Sequence, residues 1–174
     1  MKYFLQLLSF GLLATASSAL PLLDERQTAV YSLTVSTTSS TALNGQTVEI
    51  VNSVLGVYPG NQPAATFYPI PNQTKPGRSS LHTYPVGIVD HVLGLKGSDG
   101  LYSLVDVTNI GQSGAAAFYD GFILRNNLVS HEIPGNWVAF PVGNGWQIKR
   151  YDGNAIVTQD YVPVNLVYKL VNKY

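Results

Sequence analysis

The chain contains no cysteine. That removes disulfide staples, thiolate metal sites and thiol catalysis together, so in an extracellular setting the apolar core must do the work that disulfides usually share. An excess of either charge is also missing, because 10 Lys and Arg balance 10 Asp and Glu. No electrostatic field is available to draw in nucleic acid or an anionic lipid surface. The three histidines, His82, His91 and His131, form no H-x-H, H-x₃-H or H-E-x-x-H pattern, which leaves a metal site without local support. A phosphate-cradling glycine loop is lacking too, since "GLKGSDG" has neither the lysine placement nor a following helix. We therefore expect no cofactor and no metal.

Among the features present, the first is an N-terminal leader. "MKYFLQLLSFGLLATASSALPLLDERQ" has one early cation, Lys2, then an apolar run from Phe4 to Leu13, then small residues at Ala14, Ala16, Ser17 and Ala19. This three-part pattern is that of a secretory signal peptide, and the run is too short to span a bilayer. The expected organisation is a signal peptide over 1–19, a flexible segment over 20–28 and one all-β domain over 29–174. The mature chain, beginning close to Leu20, is expected to be secreted, with no membrane attachment after the leader is removed. One glycosylation sequon, Asn72-Gln73-Thr74, stands in the proline-rich stretch "YPIPNQTKPGRSS" and is a candidate acceptor.

After the leader no window keeps a 3.6-residue apolar period. Short alternating runs rich in Val, Ile, Tyr and Thr recur instead between Gly, Pro and Asn clusters. Strands are predicted at "AVYSLTVS", "QTVEIVN", "VLGVY", "VGIVDHVLGL", "LYSLVDVT", "AAAFY", "FILRN", "WVAFPV", "WQIKRY", "AIVTQ" and "VPVNLVYKLV", with "TFYPI" as an edge strand that tolerates proline. Asp120-Gly121, "KGSDG" and Asp152-Gly153 are the expected hairpin turns. Their number and spacing predict an antiparallel β-sandwich or a closed β-barrel. Internal echoes, "VYSLTVST" with "LYSLVDVT" and "AATFY" with "AAAFY", have unequal spacings, which argues against a trefoil.

The stretch "NWVAFPVGNGWQIKRY" holds both tryptophans, Trp137 and Trp146. Register decides which face each ring joins. A three-residue loop, Gly143-Asn144-Gly145, would place Val142 opposite Trp146, Phe140 opposite Ile148 and Trp137 opposite Tyr151. Trp146, Phe140 and Ile148 then form a core face. Trp137 with Tyr151, flanked by Gln147 and Lys149, becomes a candidate ligand platform on the opposite face, where aromatic rings stack on a sugar and polar neighbours take its hydroxyls. The competing reading packs these rings under the loop from Pro63 to Pro76.

Chemistry is harder to find. Asp90 and His91 are strand neighbours in "VGIVDHVLGL", so they point to opposite faces and do not pair. "GQSGA", Gly111 to Ala115, lacks the last glycine and the helix of a nucleophile elbow. Glu49, Asp90, Asp106, Asp120 and Glu132 show no pairing that would support glycoside hydrolysis, and Glu49 reads as solvated. No catalytic residue is assigned on these grounds.

The leader, "GAAAFYDGFILRNN", the tryptophan-bearing segment and the closing "YVPVNLVYKLV" together resemble an uncharacterised family of small secreted proteins of filamentous fungi. The resemblance implies secretion and brings no activity with it. The resulting expectation is a secreted, non-enzymatic β domain, cell-wall-associated or host-contacting, that binds cell-wall polysaccharide or an extracellular protein. The alternative is a secreted hydrolase with its site around Asp90 and His91.

Overall fold

A computed structural model describes residues 28–60, 62–85, 87, 89–108 and 117–173. The leader, most of the 20–28 segment and the "GQSGA" stretch lie outside them. The described residues form thirteen strands: β1 (Ala29–Ser36), β2 (Glu49–Val51), β3 (Val54–Val57), β4 (Thr66–Pro71), β5 (Ser79–Tyr84), β6 (His91–Ser98), β7 (Leu101–Thr108), β8 (Ala117–Phe118), β9 (Phe122–Arg125), β10 (Leu128–His131), β11 (Asn136–Val142), β12 (Gly145–Tyr151) and β13 (Val162–Lys173).

Six of these strands close into a barrel in the order β1-β4-β5-β9-β10-β13, and the pairing of β1 with β13 seals the ring. The hairpins β2–β3, β6–β7 and β11–β12 stand outside that ring and pair with one another through β12–β3, β3–β7 and β12–β7. A six-stranded barrel capped by three mutually paired hairpins is the connectivity of a β-trefoil. The all-β and closed-barrel expectations hold, but the expectation against a trefoil does not, since that is the form the barrel takes. β1, β5 and β10 begin at residues 29, 79 and 128, a period of roughly fifty residues. "TFY" of the first echo and "AFY" of the second do mark equivalent places, the start of β4 and β8. "VYSLTVST" and "LYSLVDVT" do not, being a barrel strand and a cap strand, and that mismatch is what hid the period.

Barrel and cap share one core. Leu33, Val35, Phe67, Leu81, Phe122, Val129 and Leu166 enter it from the barrel, and Leu55, Leu93, Leu95, Leu104, Trp137, Ala139 and Ile148 from the hairpins. Sheet edges are largely consumed by the closure, which protects an all-β chain from edge pairing with other molecules.

Turn chemistry sets the hairpins. Asn52-Ser53, Asp99-Gly100 and Asn126-Asn127 all have positive φ at both positions, the type I′ geometry that suits two-residue connections. Asp99-Gly100 confirms the hairpin expected at "KGSDG". Asp120-Gly121 makes no hairpin, because β8 pairs with β6 while β9 turns at Asn126-Asn127 to pair with β10. Asp152-Gly153 leads into an irregular segment, and "AIVTQ" is not a strand. β4 is no edge strand. It pairs with β1 only at Thr66 and Phe67, so Pro69 and Pro71 fall where a single neighbour remains and no ladder bond is lost on the other side.

One glycine fixes how closely two hairpins of the cap approach. Gly56 in β3 packs against β12 so tightly that a Cβ would run into the Trp146 carbonyl and the Tyr58 ring. Gly56→Ala is therefore expected to cost about 2 kcal/mol or more, since backbone must shift to admit the methyl. Urea denaturation should register it as a lower midpoint with an unchanged slope.

Candidate functional site

The tryptophan hairpin differs from its expected register. Its turn is the two-residue Gly143-Asn144, with Gly143 at φ 57°, and Val142 pairs with Gly145, Phe140 with Gln147, Ala139 with Ile148 and Trp137 with Arg150. Dropping one residue from the loop moves half the hairpin to the other face. Both tryptophans consequently lie on the inner face with Ala139, Ile148 and Arg150. Trp137 is 4% exposed, whereas Trp146 is only partly buried against the core. Trp137 Nε1 donates to the Val129 carbonyl at 2.6 Å, and the Arg150 guanidinium sits 5.1 Å from the centre of its ring. The platform of Trp137 with Tyr151 is thus not formed, because Tyr151 lies opposite Asn136 on the outer face.

The outer face carries Tyr151, Gln147 and Lys149 together, as expected, and adds Val138 and Phe140. Its cover is the segment 152–161, not the loop from Pro63 to Pro76. Tyr161 packs on Phe140 and on Tyr151, each at 5.4 Å between ring centres. Tyr151 Oη donates to the Ala155 carbonyl at 3.0 Å, and Gln159 Nε2 donates to the Pro141 carbonyl at 2.7 Å. Lys149 Nζ lies 5.0 Å above the Phe140 ring.

Beside this covered face opens a cleft of about 470 Å³ where the β1–β2 loop, the start of β11 and the start of β13 meet. Its walls are Ser36, Thr37, Thr38, Ser39 and Asn44 on one side and Asn136, Trp137, Pro163, Val164 and Asn165 on the other. None of them is ionisable. The loop is held by Thr37, whose amide donates to Asn44 Oδ1 at 3.1 Å and whose hydroxyl donates to the Pro163 carbonyl at 2.7 Å. The side chains of Ser36, Thr38, Asn136 and Asn165 make no protein hydrogen bond among the described residues. A second cleft of about 250 Å³ shares Asn136 and Pro163 with the first and adds Val138, Tyr151, Asp152 and Tyr161. The two together form a polar trough with an aromatic end.

A different set of side chains gathers on the outer surface of the barrel. Ser80 and His82 alternate with the core residue Leu81 on β5, so they share one face. Ser80 Oγ lies 2.9 Å from His82 Nε2, and His82 Nδ1 lies 2.9 and 3.0 Å from the two oxygens of Asp90. Tyr68, directly opposite on β4, stacks on the imidazole at 5.3 Å. Burial and the nearby Asp90 charge raise the Tyr68 phenol above its ordinary pKa, which keeps it a neutral wall. Asp90 and His91 are indeed unpaired with each other. His91 Nδ1 donates to Asp106 Oδ2 at 2.8 Å, and Thr83 Oγ1 donates to the other oxygen of that carboxylate at 2.7 Å.

Two buried ionisable groups are structural. Arg150, 7% exposed, donates to the carbonyls of Ile133 and His131 and has no carboxylate partner among the described residues. Burial lowers its pKa. His131 accepts the Ile133 amide through Nδ1 at 3.1 Å and packs edge-on against Phe122. Burial first, and the Arg150 charge second, push its pKa down to about 4. Glu49 corrects an expectation: it is 8% exposed, not solvated, and it raises the pKa of Tyr58 alongside that ring's own burial.

The sequon lies in a half-exposed Asx turn. Asn72 Oδ1 accepts from the amides of Thr74 and Lys75 and from the Thr74 hydroxyl, while Nδ2, the atom a glycan would join, donates to Asp120 at 3.3 Å. Lys75 and Arg78 tie the same loop to Glu132, with Lys75 also reaching Asp120.

Comparison with family models, with curated proteins and with solved structures finds no match.

Proposed function

We propose that this protein is a secreted binding domain, cell-wall-associated or host-contacting, whose polar trough takes a neutral carbohydrate. One observation carries the reading: a cleft of about 470 Å³ lined by uncharged residues, four of whose hydroxyl and amide side chains are free to bond a ligand. Neutral amides and hydroxyls at this density match a polyol, which offers many weak donors and acceptors and no charge. An anionic or cationic ligand would find no counter-ion in the first cleft. Hydrolysis there has no support either, as acid–base work needs a titratable group within reach of the substrate. Tyr151 and Tyr161 at the aromatic end supply a stacking surface, the part first assigned to Trp137. The resemblance to small secreted proteins of filamentous fungi agrees with secretion and brings no ligand with it. An extracellular protein is the other partner that an uncharged first cleft would suit.

Binding is expected to be weak, roughly millimolar to micromolar, because an open trough encloses little of the ligand and association entropy must be overcome. The test is titration of the mature protein with soluble chitin and glucan oligomers, followed by intrinsic fluorescence, since Trp137 borders the cleft. Asn136→Ala and Asn165→Ala should each weaken the response at least about tenfold, the worth of one or two hydrogen bonds. A signal unmoved by any saccharide at high millimolar concentration removes carbohydrate from this trough and turns the search to protein partners.

A further inference from the structure

Ser80, His82 and Asp90 form a hydrogen-bonded series in which each atom has a defined role. A carboxylate can only accept, so the proton shared between Asp90 and His82 belongs to Nδ1. In the neutral imidazole the second ring nitrogen, Nε2, then turns its lone pair toward Ser80 Oγ at 2.9 Å and is the nearer acceptor for the hydroxyl proton, the Ile70 carbonyl lying at 3.4 Å. This is the order of groups that activates a serine in unrelated folds, where the arrangement is recognised by geometry and role and not by position in the chain. The imidazole cannot turn away easily, being 7% exposed and held between the Tyr68 ring and the Asp90 carboxylate. Ser80 itself is half-buried at the surface, and Ile70, directly opposite on β4 and 43% exposed, offers an apolar contact to an incoming acyl chain.

We infer that Ser80 is a nucleophile for small acyl esters, with His82 as its general base and Asp90 as the group that orients the imidazole. The site is separate from the polar trough and does not rest on the carbohydrate reading. In the reaction, Ser80 Oγ forms a bond to the acyl carbon while its proton passes to His82 Nε2. The ester C–O bond then breaks, and the leaving alkoxide takes that proton and departs as an alcohol. Water, deprotonated by the same nitrogen, attacks the acyl-serine and releases a carboxylic acid, restoring the Ser80 hydroxyl. Ser80 lies within a paired strand, not on a strand-to-helix elbow, so among the described residues the elbow's own amide does not serve as an oxyanion donor. Turnover should accordingly be slow and favour esters with good leaving groups.

The experiment treats the mature protein with p-nitrophenyl acetate and maps acylation by peptide mass spectrometry, comparing Ser80 with the exposed Ser39 and Ser53 in the same sample. Ser80 should be acylated about a hundredfold faster than either, and His82→Gln should remove most of that advantage, the factor a positioned base supplies. Asp90→Asn should lower it by a smaller factor. Ser80→Ala should abolish label at that peptide and leave the melting temperature nearly unchanged. If a folded His82→Gln variant labels Ser80 as fast as the parent does, or if Ser80 reacts no faster than Ser39 and Ser53, the series is a structural hydrogen-bond chain and the inference falls.

Discussion

Trp137→Ala is expected to be the most damaging single substitution in the cap, costing about 3 to 5 kcal/mol for the cavity and about 1 kcal/mol more for the abandoned Val129 carbonyl. The ring is 4% exposed, its indole nitrogen is bonded at 2.6 Å, and it supports the Arg150 guanidinium. Arg150 in turn holds the carbonyls of His131 and Ile133, so the loss spreads to the turn that precedes β11. A loss of this size approaches the whole stability of an ordinary domain. Trp146→Ala removes a ring that is only partly buried and should cost clearly less, about 1 to 3 kcal/mol. Trp137→Phe separates the two contributions, because it keeps most of the apolar area and gives up the hydrogen bond, for about 1 to 2 kcal/mol. Guanidinium unfolding of the three variants measures the ranking, and equal losses at Trp137 and Trp146 would contradict the burial described here.

Acid should destabilise the fold through His131. Its folded pKa of about 4 lies below the 6.5 of an exposed imidazole, so below pH 6.5 the unfolded chain binds a proton that the folded chain refuses. Stability from this group is complete above pH 6.5 and is lost as pH falls toward 4. The total is about 3.5 kcal/mol at one pKa unit per 1.4 kcal/mol, the pull of the Glu132 and Asp120 carboxylates on the protonated ring being already contained in the folded value. His131→Gln, whose side-chain oxygen can still accept the Ile133 amide, should flatten the difference between pH 7 and pH 4.5 by most of that amount. Thermal melts of parent and variant across that range provide the comparison. A parent curve as flat as that of the variant would mean that His131 titrates normally.

The secondary structure was legible where apolar and polar residues alternate without interruption. β1 and β7 match "AVYSLTVS" and "LYSLVDVT" residue for residue, and the closing strand was equally plain. β5 was not, because "SSLHTY" puts one aliphatic residue, Leu81, among polar ones and so lacks the usual contrast. That omission removed the strand that carries Ser80 and His82. The S-x-H spacing was the available signal, since a strand would set both side chains on one face. β10 was missed because Asn126-Asn127 went unread as a turn, while Asp120-Gly121 was preferred for its familiar composition.

By itself the sequence determined the class of the fold, an antiparallel all-β chain forming a sandwich or a closed barrel, because periodicity of two and turn residues act over short distances and leave their mark locally. It also excluded thiol chemistry outright. Only the tertiary structure decided the rest. Which face Trp137 occupies depended on a single residue of loop length, and a two-residue turn could not be told from a three-residue one without the neighbours that bury one side. The meeting of His82 with Asp90, and of His91 with Asp106, required the chain to pass from β5 through a loop into β6 and β7. The polar trough draws its walls from residues at both ends of the domain, from Ser36 to Asn165. Those contacts are set by closure of the barrel, a long-range condition that no local pattern records.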